Sequence, residues 1–209
     1  MSFVQDSLFK LINVSNGEIK FEDINSLVSS LERYLDLLEK WNKTYNLTAI
    51  RDREEMVCRH ILDSLAILPW IKGTRIIDVG TGAGLPGIPL SLANPNLQVV
   101  LLDSNGKKTR FLQEVKRVLR LNNVLIINSR VEEYKNNFSF DTVVSRAFTN
   151  LKNMLEKTEH LLDKDGIWLA MKGIKPEEEL TQITNNYQII NYKVADDLAN
   201  RCCIVIRNS

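Results

Sequence analysis

The 209-residue sequence predicts an α/β protein in which a doubly wound, mostly parallel sheet of seven strands follows a helical N-terminal appendage. Three observations predict it. Apolar residues recur at spacings of three and four through residues 1–72. After Gly73 the texture changes, and short apolar runs alternate with helical patterns. A glycine-rich loop then joins the first of those runs to the helix that follows it.

In the appendage, Ile24, Leu27, Val28, Leu31, Leu35, Leu38 and Trp41 line one amphipathic stripe. Val57, Ile61, Leu65 and Leu68 repeat the pattern over 54–68, and the polar stretch from Asn42 to Asn46 between them is expected to break the helix. Parallel strands are expected at 75–79, 98–102, 124–128, 141–145 and 167–171. The clearest intervening helix is 107–121, with Phe111, Val115, Val118 and Leu119 facing inward. Runs 187–194 and 202–206 have no helical pattern between them and are expected to close the sheet as an antiparallel pair at its edge. Two units result: a helical appendage over 1–72 and the sheet domain over 73–209.

Composition narrows the class. Hydrophobic residues make up 44% and charged residues 25%, the balance of a globular protein. No apolar run reaches the roughly 20 residues that span a bilayer, and the N-terminal stretch lacks the features of a signal peptide. Cys58, Cys202 and Cys203 are too few and too oddly placed for a disulfide framework, and no Cys-x-x-Cys pair suggests a metal. A cytoplasmic protein without a metal site is expected. Net charge is only +1, but residues 104–152 hold ten Lys/Arg against four Asp/Glu. That local excess follows the glycine loop, where it would steer a polyanion or simply form a solvated helix face.

The loop carries the chemistry. Gly80, Gly82 and Gly84 let the chain turn sharply and leave room for a ligand against the backbone. Pro86 and Pro89 fall in the first turn of the next helix, where a missing N–H costs nothing. Asp103 closes the next strand, 19 residues after Gly84, where a carboxylate can accept hydrogen bonds from both hydroxyls of a ribose. Residues 82–87 also satisfy the dinucleotide pattern G-x-G-x-x-G, so an NAD-linked oxidoreductase competes. Its strand, however, ends about four residues too early. An anionic Asp78 at the loop would repel a pyrophosphate yet suit the ammonium of a methionine moiety. S-adenosylmethionine is therefore the favoured cofactor, and the sheet that of a Rossmann-like, class I S-adenosylmethionine-dependent methyltransferase.

The end of the fourth strand, Ser145-Arg146-Ala147-Phe148, would face the transferred methyl group. It is not the Asn/Asp-Pro-Pro-aromatic tetrapeptide that binds an exocyclic amine, and it holds no cysteine for attack through a base carbon. An atom already nucleophilic, such as a ring nitrogen or an oxygen, remains as acceptor. Arg146 is a candidate for a substrate phosphate or the cofactor carboxylate, and Lys172 at the next strand end for a similar role. Arg59-His60 and Asp63-Ser64 are one helical turn apart, so local pairing of Arg59 with Asp63 and of His60 with Ser64 would account for them.

Taken together, these residues resemble a known family. Trp41-Asn42, Tyr45-Asn46-Leu47-Thr48, Arg59-His60 through Leu65, Asp78 through Pro89, Leu102-Asp103-Ser104 and Ser145 through Phe148 are similar to the glucose-inhibited division protein B family of small-subunit ribosomal RNA methyltransferases. The similarity runs from about Trp41 to Gly173; Ala83 stands where proline is frequent, and the tail matches loosely. The resemblance implies methylation of guanine N7 in bacterial 16S ribosomal RNA, with S-adenosylmethionine as donor. It implies that Gly80 and Leu85 line the cofactor loop, that Asp103, beside Ser104, holds the ribose, that Val131 and Glu132 reach the adenine, and that Arg146 lies at the cofactor. Arg59, His60, Lys107, Lys108 and Lys172 are then candidates for contact with RNA, and a monomer is expected. A small-molecule methyltransferase of the same fold is the alternative.

Overall fold

The computed structural model describes residues 2–194 and 197–208, and the side chains of 2–194 and 201–208. Strands β1 (Arg75–Val79), β2 (Gln98–Asp103), β3 (Val124–Asn128), β4 (Phe140–Arg146), β5 (Leu162–Lys172), β6 (Tyr187–Val194) and β7 (Asp197–Arg207) form one sheet in the order β3-β2-β1-β4-β5-β7-β6. Pairings from β3 through β5 are parallel, while β7 runs antiparallel to both β5 and β6. The order reverses between β1 and β4, so the crevice that ligands use in such sheets opens at the carboxyl ends of β1, β2 and β4. The final hairpin is an antiparallel pair at the sheet edge, as expected. Strand β7, which carries Cys202 and Cys203, lies inside the sheet, and β6 forms the edge. The near-unbroken apolar run of β7 is that of a strand covered on both faces.

Alternation along the strands divides the core. Ile76, Val99, Leu101, Val144 and Leu169 face one layer; Ile77, Val100, Leu102, Val143 and Trp168 face the other. The first layer is covered by α5 (Gly87–Ala93), α6 (Gly106–Leu119) and the N-terminal helices, the second by α7 (Leu151–Thr158) and α8 (Glu177–Leu180). In α6 the inward positions are Thr109, Phe111, Leu112 and Val115; Val118 and Leu119, expected in the core, are only half-buried near the helix end.

Helices α1 (Phe3–Val14) and α2 (Ile24–Tyr45) come first, and α2 does not break at Asn42. The buried Asn42 side chain caps the next segment instead, donating to the Ile50 carbonyl and accepting from Thr48 N–H. The helix stops only when Asn46 takes a left-handed conformation, φ 50°. Next, α3 (Arg53–Met56) passes through a π-helical turn, Val57–Leu62, directly into α4 (Asp63–Ala66). Leu31, Tyr34, Leu35 and Leu38 of α2 pack in the same core cluster as Ile88 of α5 and Phe111 of α6, so the N-terminal helices and the sheet share one interior.

Candidate active site

The sequence between β1 and α5 makes a cradle because its backbone is left-handed at three places. Gly80, Gly82 and Gly84 have φ of 67°, 63° and 93°. A Cβ on Gly80 would sit 2.7 Å from Phe148 Cδ2, and one on Gly84 2.5 Å from Ile88 Cγ1, whereas one on Gly82 would make only ordinary contacts, 3.9 Å from the Gly80 carbonyl oxygen and from Lys108 Nζ. Gly80 therefore meets the wall of the site, Gly84 closes the packing against α5 and α6, and Gly82 leaves room.

Asp78 holds this loop from beneath. It is fully buried, and its Oδ2 accepts from Thr81 Oγ1 at 2.6 Å and from Gly87 N–H at 2.8 Å. Oδ1 has no hydrogen-bond partner. Burial pushes the carboxyl up to about 6, opposed by those two hydrogen bonds and by the charge of Arg146. The side chain thus does not stand at the loop mouth as expected. Its anchoring of Thr81 and Gly87 requires the carboxylate to turn inward.

Above the loop lies a cavity of about 390 Å3 at the ends of β1, β2 and β4. Gly80, Asp103, Ser104, Val131 and Glu132 line it, all of them sequence candidates. Asp103 is the best prepared: Oδ2 accepts from Gly82 N–H at 2.9 Å, Oδ1 from Asn105 N–H at 2.8 Å, and Lys108 Nζ lies 3.8 Å away. These donors fix the carboxylate in one orientation while leaving lone pairs for hydroxyl donors in the cavity. Val131 supplies an apolar wall, and Glu132 is held by Lys157 at 2.6 Å. Ala147 and Phe148 form the opposite wall. Gly82, Gly84, Leu85 and Arg146 do not line the cavity; Leu85 is buried in the core. Phe148, Lys108 and Lys157 do line it; Phe148 belongs to the strand end expected to face the methyl group, Lys108 is an RNA candidate, and Lys157 carries no role in the sequence.

Arg146 points instead at the N-terminal helices. Nη1 donates to the Arg59 carbonyl at 3.0 Å and lies 3.4 Å from Asp63 Oδ2, and Nη2 is 3.2 Å from His60 Nδ1. Asp63 Oδ1 accepts from Tyr192 at 2.9 Å and meets Arg201 at 3.3 Å. The pairing expected of Arg59 with Asp63, and of the His60 and Ser64 side chains, does not form. Arg59 pairs with Glu55 at 3.3 Å, and the Ser64 hydroxyl donates to the His60 backbone carbonyl, because the π turn rotates Asp63 toward the sheet. Lys172 is held by Glu179 at 2.8 Å and by the Thr149 carbonyl, so its charge is neutralised inside the protein, whereas Lys107 is exposed at the start of α6.

Solved structures share this fold. At 16% identity, a SAM-dependent methyltransferase of Aquifex aeolicus superposes with a TM-score of 0.58 over 78% of this chain and 97% of its own. At 12% identity, TYW2 of P. horikoshii, in complex with MeSAdo, gives 0.54 over 71% and 62%. The fold is that of the S-adenosylmethionine-dependent methyltransferases. Sequence relatives are much nearer. A protein of Legionella pneumophila named Ribosomal RNA small subunit methyltransferase G is 56% identical over 95% of this chain and 94% of its own. One of the same name from Haemophilus influenzae is 44% identical over 96% and 98%. The family described as rRNA small subunit methyltransferase G matches residues 27–200, which includes the cradle, the cavity and the Arg146 network except Arg201. The chain belongs to the rRNA small subunit methyltransferase G family.

Proposed function

We propose that the protein transfers the methyl group of S-adenosylmethionine to N7 of a guanine in the 16S RNA of the small ribosomal subunit. The observation that carries this reading is the coincidence of the family match over 27–200 with a cavity whose one preorganised carboxylate, Asp103, ends β2. The residues fit the cofactor. Asp103 would hold the ribose hydroxyls, Val131 and Glu132 would take the adenine, and Gly80, without a Cβ, would let the cofactor approach the backbone beside Phe148. The cofactor supplies a methyl group on a positively charged sulfonium.

The protein's share is positioning. Guanine N7 offers an in-plane lone pair and no proton, so no general base is needed and alignment can provide most of the acceleration. The cavity suits that economy, since its carboxylates among the described residues are Asp103 and Glu132, each already committed to fixed partners. No cysteine lines it. Cys202 and Cys203 lie buried in β7, and burial pushes both thiols up, away from the nucleophilic thiolate. An in vitro assay with labelled cofactor and small-subunit particles should place label in 7-methylguanosine. Transfer to another nucleoside, or to small molecules only, would overturn the assignment.

A further inference from the structure

We propose that His60 is a positioning residue for methyl transfer: its Nδ1 lone pair fixes the Arg146 guanidinium at the carboxyl end of β4, making the N-terminal helices part of the transfer site. The role rests on the function proposed above. Its geometry stands independently.

A guanidinium only donates, so the nitrogen 3.2 Å from Arg146 Nη2 must be an acceptor. That places the ring proton on Nε2, which is 2.7 Å from Thr48 Oγ1 and donates to it. The Arg59 carbonyl also lies 3.2 Å from Nδ1 and receives Arg146 Nη1 at 3.0 Å; its second lone pair would take a proton on Nδ1, but that tautomer would turn an N–H toward Arg146 Nη2 and leave this donor without its acceptor. The groups facing the ring favour the neutral form. Arg146, Arg59 and Arg201 are cationic, Thr48 is neutral, and Asp63 is shared among Arg146, Arg201 and Tyr192. Burial and the Arg146 charge push the imidazole down to about 3. Asp63 supplies the second support and ties in β6 and β7 through Tyr192 and Arg201.

What this network holds is the start of the cavity wall. Ala147, directly after Arg146, has φ of 54°, a left-handed conformation that a residue with a Cβ adopts only when its surroundings impose it. Ala147 and Phe148 line the cavity, and Phe148 lies against Gly80. With Arg146 clamped to the π-helical turn and α4 on one side and β4 continuing into the sheet on the other, the turn at Ala147 is fixed from both ends. Loss of the His60 acceptor frees one arm of the guanidinium and lets Phe148 relax away from Gly80.

The test compares His60→Ala with His60→Asn in the full chain, because Asn places Oδ1 where the imidazole carries Nδ1. Ala should lower kcat about ten- to a hundredfold, the loss expected for one hydrogen bond to a charged group, with KM for S-adenosylmethionine moving less than about threefold. Asn should recover most of that loss, with a pH–rate profile parallel to wild type from pH 6 to 9. Unchanged kcat in Ala, equal damage in Ala and Asn, or loss of one limb of the profile would each overturn the proposal. Nitrogen-15 NMR of the wild-type ring supplies a readout that does not depend on activity. It should report a neutral Nε2–H tautomer from pH 5 to 8, and an Nδ1–H tautomer would also overturn the role. A wild type inactive on small-subunit RNA with the expected tautomer would count against the functional assignment and leave the His60 contact standing.

Discussion

Asp78 and His60 carry opposite perturbations that act on stability in acid. Asp78 binds a proton near pH 6 when folded, well above an unfolded carboxyl near 3.9, so it adds stability as pH falls from about 6 to 4. His60 stays neutral down to about 3 when folded while its unfolded form protonates near 6.5, so stability is lost as pH falls below about 6.5. In wild type the two slopes largely offset each other. Urea titrations of His60→Asn should therefore gain on wild type by about 1.4 kcal/mol per pH unit between pH 6 and 4; a constant difference would mean that His60 is charged in the folded state. At the cradle, Gly80→Ala meets Phe148 and should cost activity more than tenfold, whereas Gly82→Ala makes only ordinary contacts and carries only the left-handed strain of about 1–2 kcal/mol. Paired activity and melting measurements separate them. The sequence shows these glycines and Asp103 plainly, because spacing from a strand end is local. The direction of Asp78 is not legible, since it depends on whether Thr81 and Gly87 offer donors beneath the loop.

Elements were legible where their periodicity is strong and hidden where tertiary contacts set their ends. All seven strands lie at or within a few residues of the expected runs, but β5 starts at Leu162, ahead of its apolar stretch, because Leu162 pairs with Phe140 across an irregularity in register. The connection of α2 to the cradle was invisible in the sequence. Tyr34 is fully buried and donates to the Ala83 carbonyl at 2.8 Å, 49 residues away. Tyr34→Phe should cost about 1 kcal/mol in denaturant unfolding and weaken S-adenosylmethionine binding in calorimetry, and an unchanged affinity would show that the loop does not need α2. On the outer surface, α6 presents Lys107 and Arg110 to solvent, while Lys172 is neutralised by Glu179. Replacing Lys107 and Arg110 with Ala should reduce the slope of log affinity for RNA against log salt by about 1–2. Lys172→Met should leave that slope unchanged, and the reverse pattern would move the RNA path to the other side of the cavity.

At the scale of the molecule, the strand order sets one crevice at the ends of β1, β2 and β4, and the N-terminal helices cover one face of the sheet up to its rim. The fold class could be read from alternation of apolar runs, and the cofactor loop from its glycines. What closes the rim could not, because His60, Asp63, Arg146, Tyr192 and Arg201 come from distant parts of the chain and meet only when the sheet is assembled. The helices that looked like an appendage carry two of those five. The cavity beside Asp103 is where, on the proposed function, S-adenosylmethionine binds and its methyl group passes to guanine N7. The most direct measurement is transfer of labelled methyl groups to small-subunit particles at successive assembly stages, followed by nucleoside analysis, for wild type and Asp103→Ala. Label confined to 7-methylguanosine in wild type, and lost in Asp103→Ala at equal protein stability, is the predicted result. Label in a different nucleoside, or full transfer by Asp103→Ala, would contradict it.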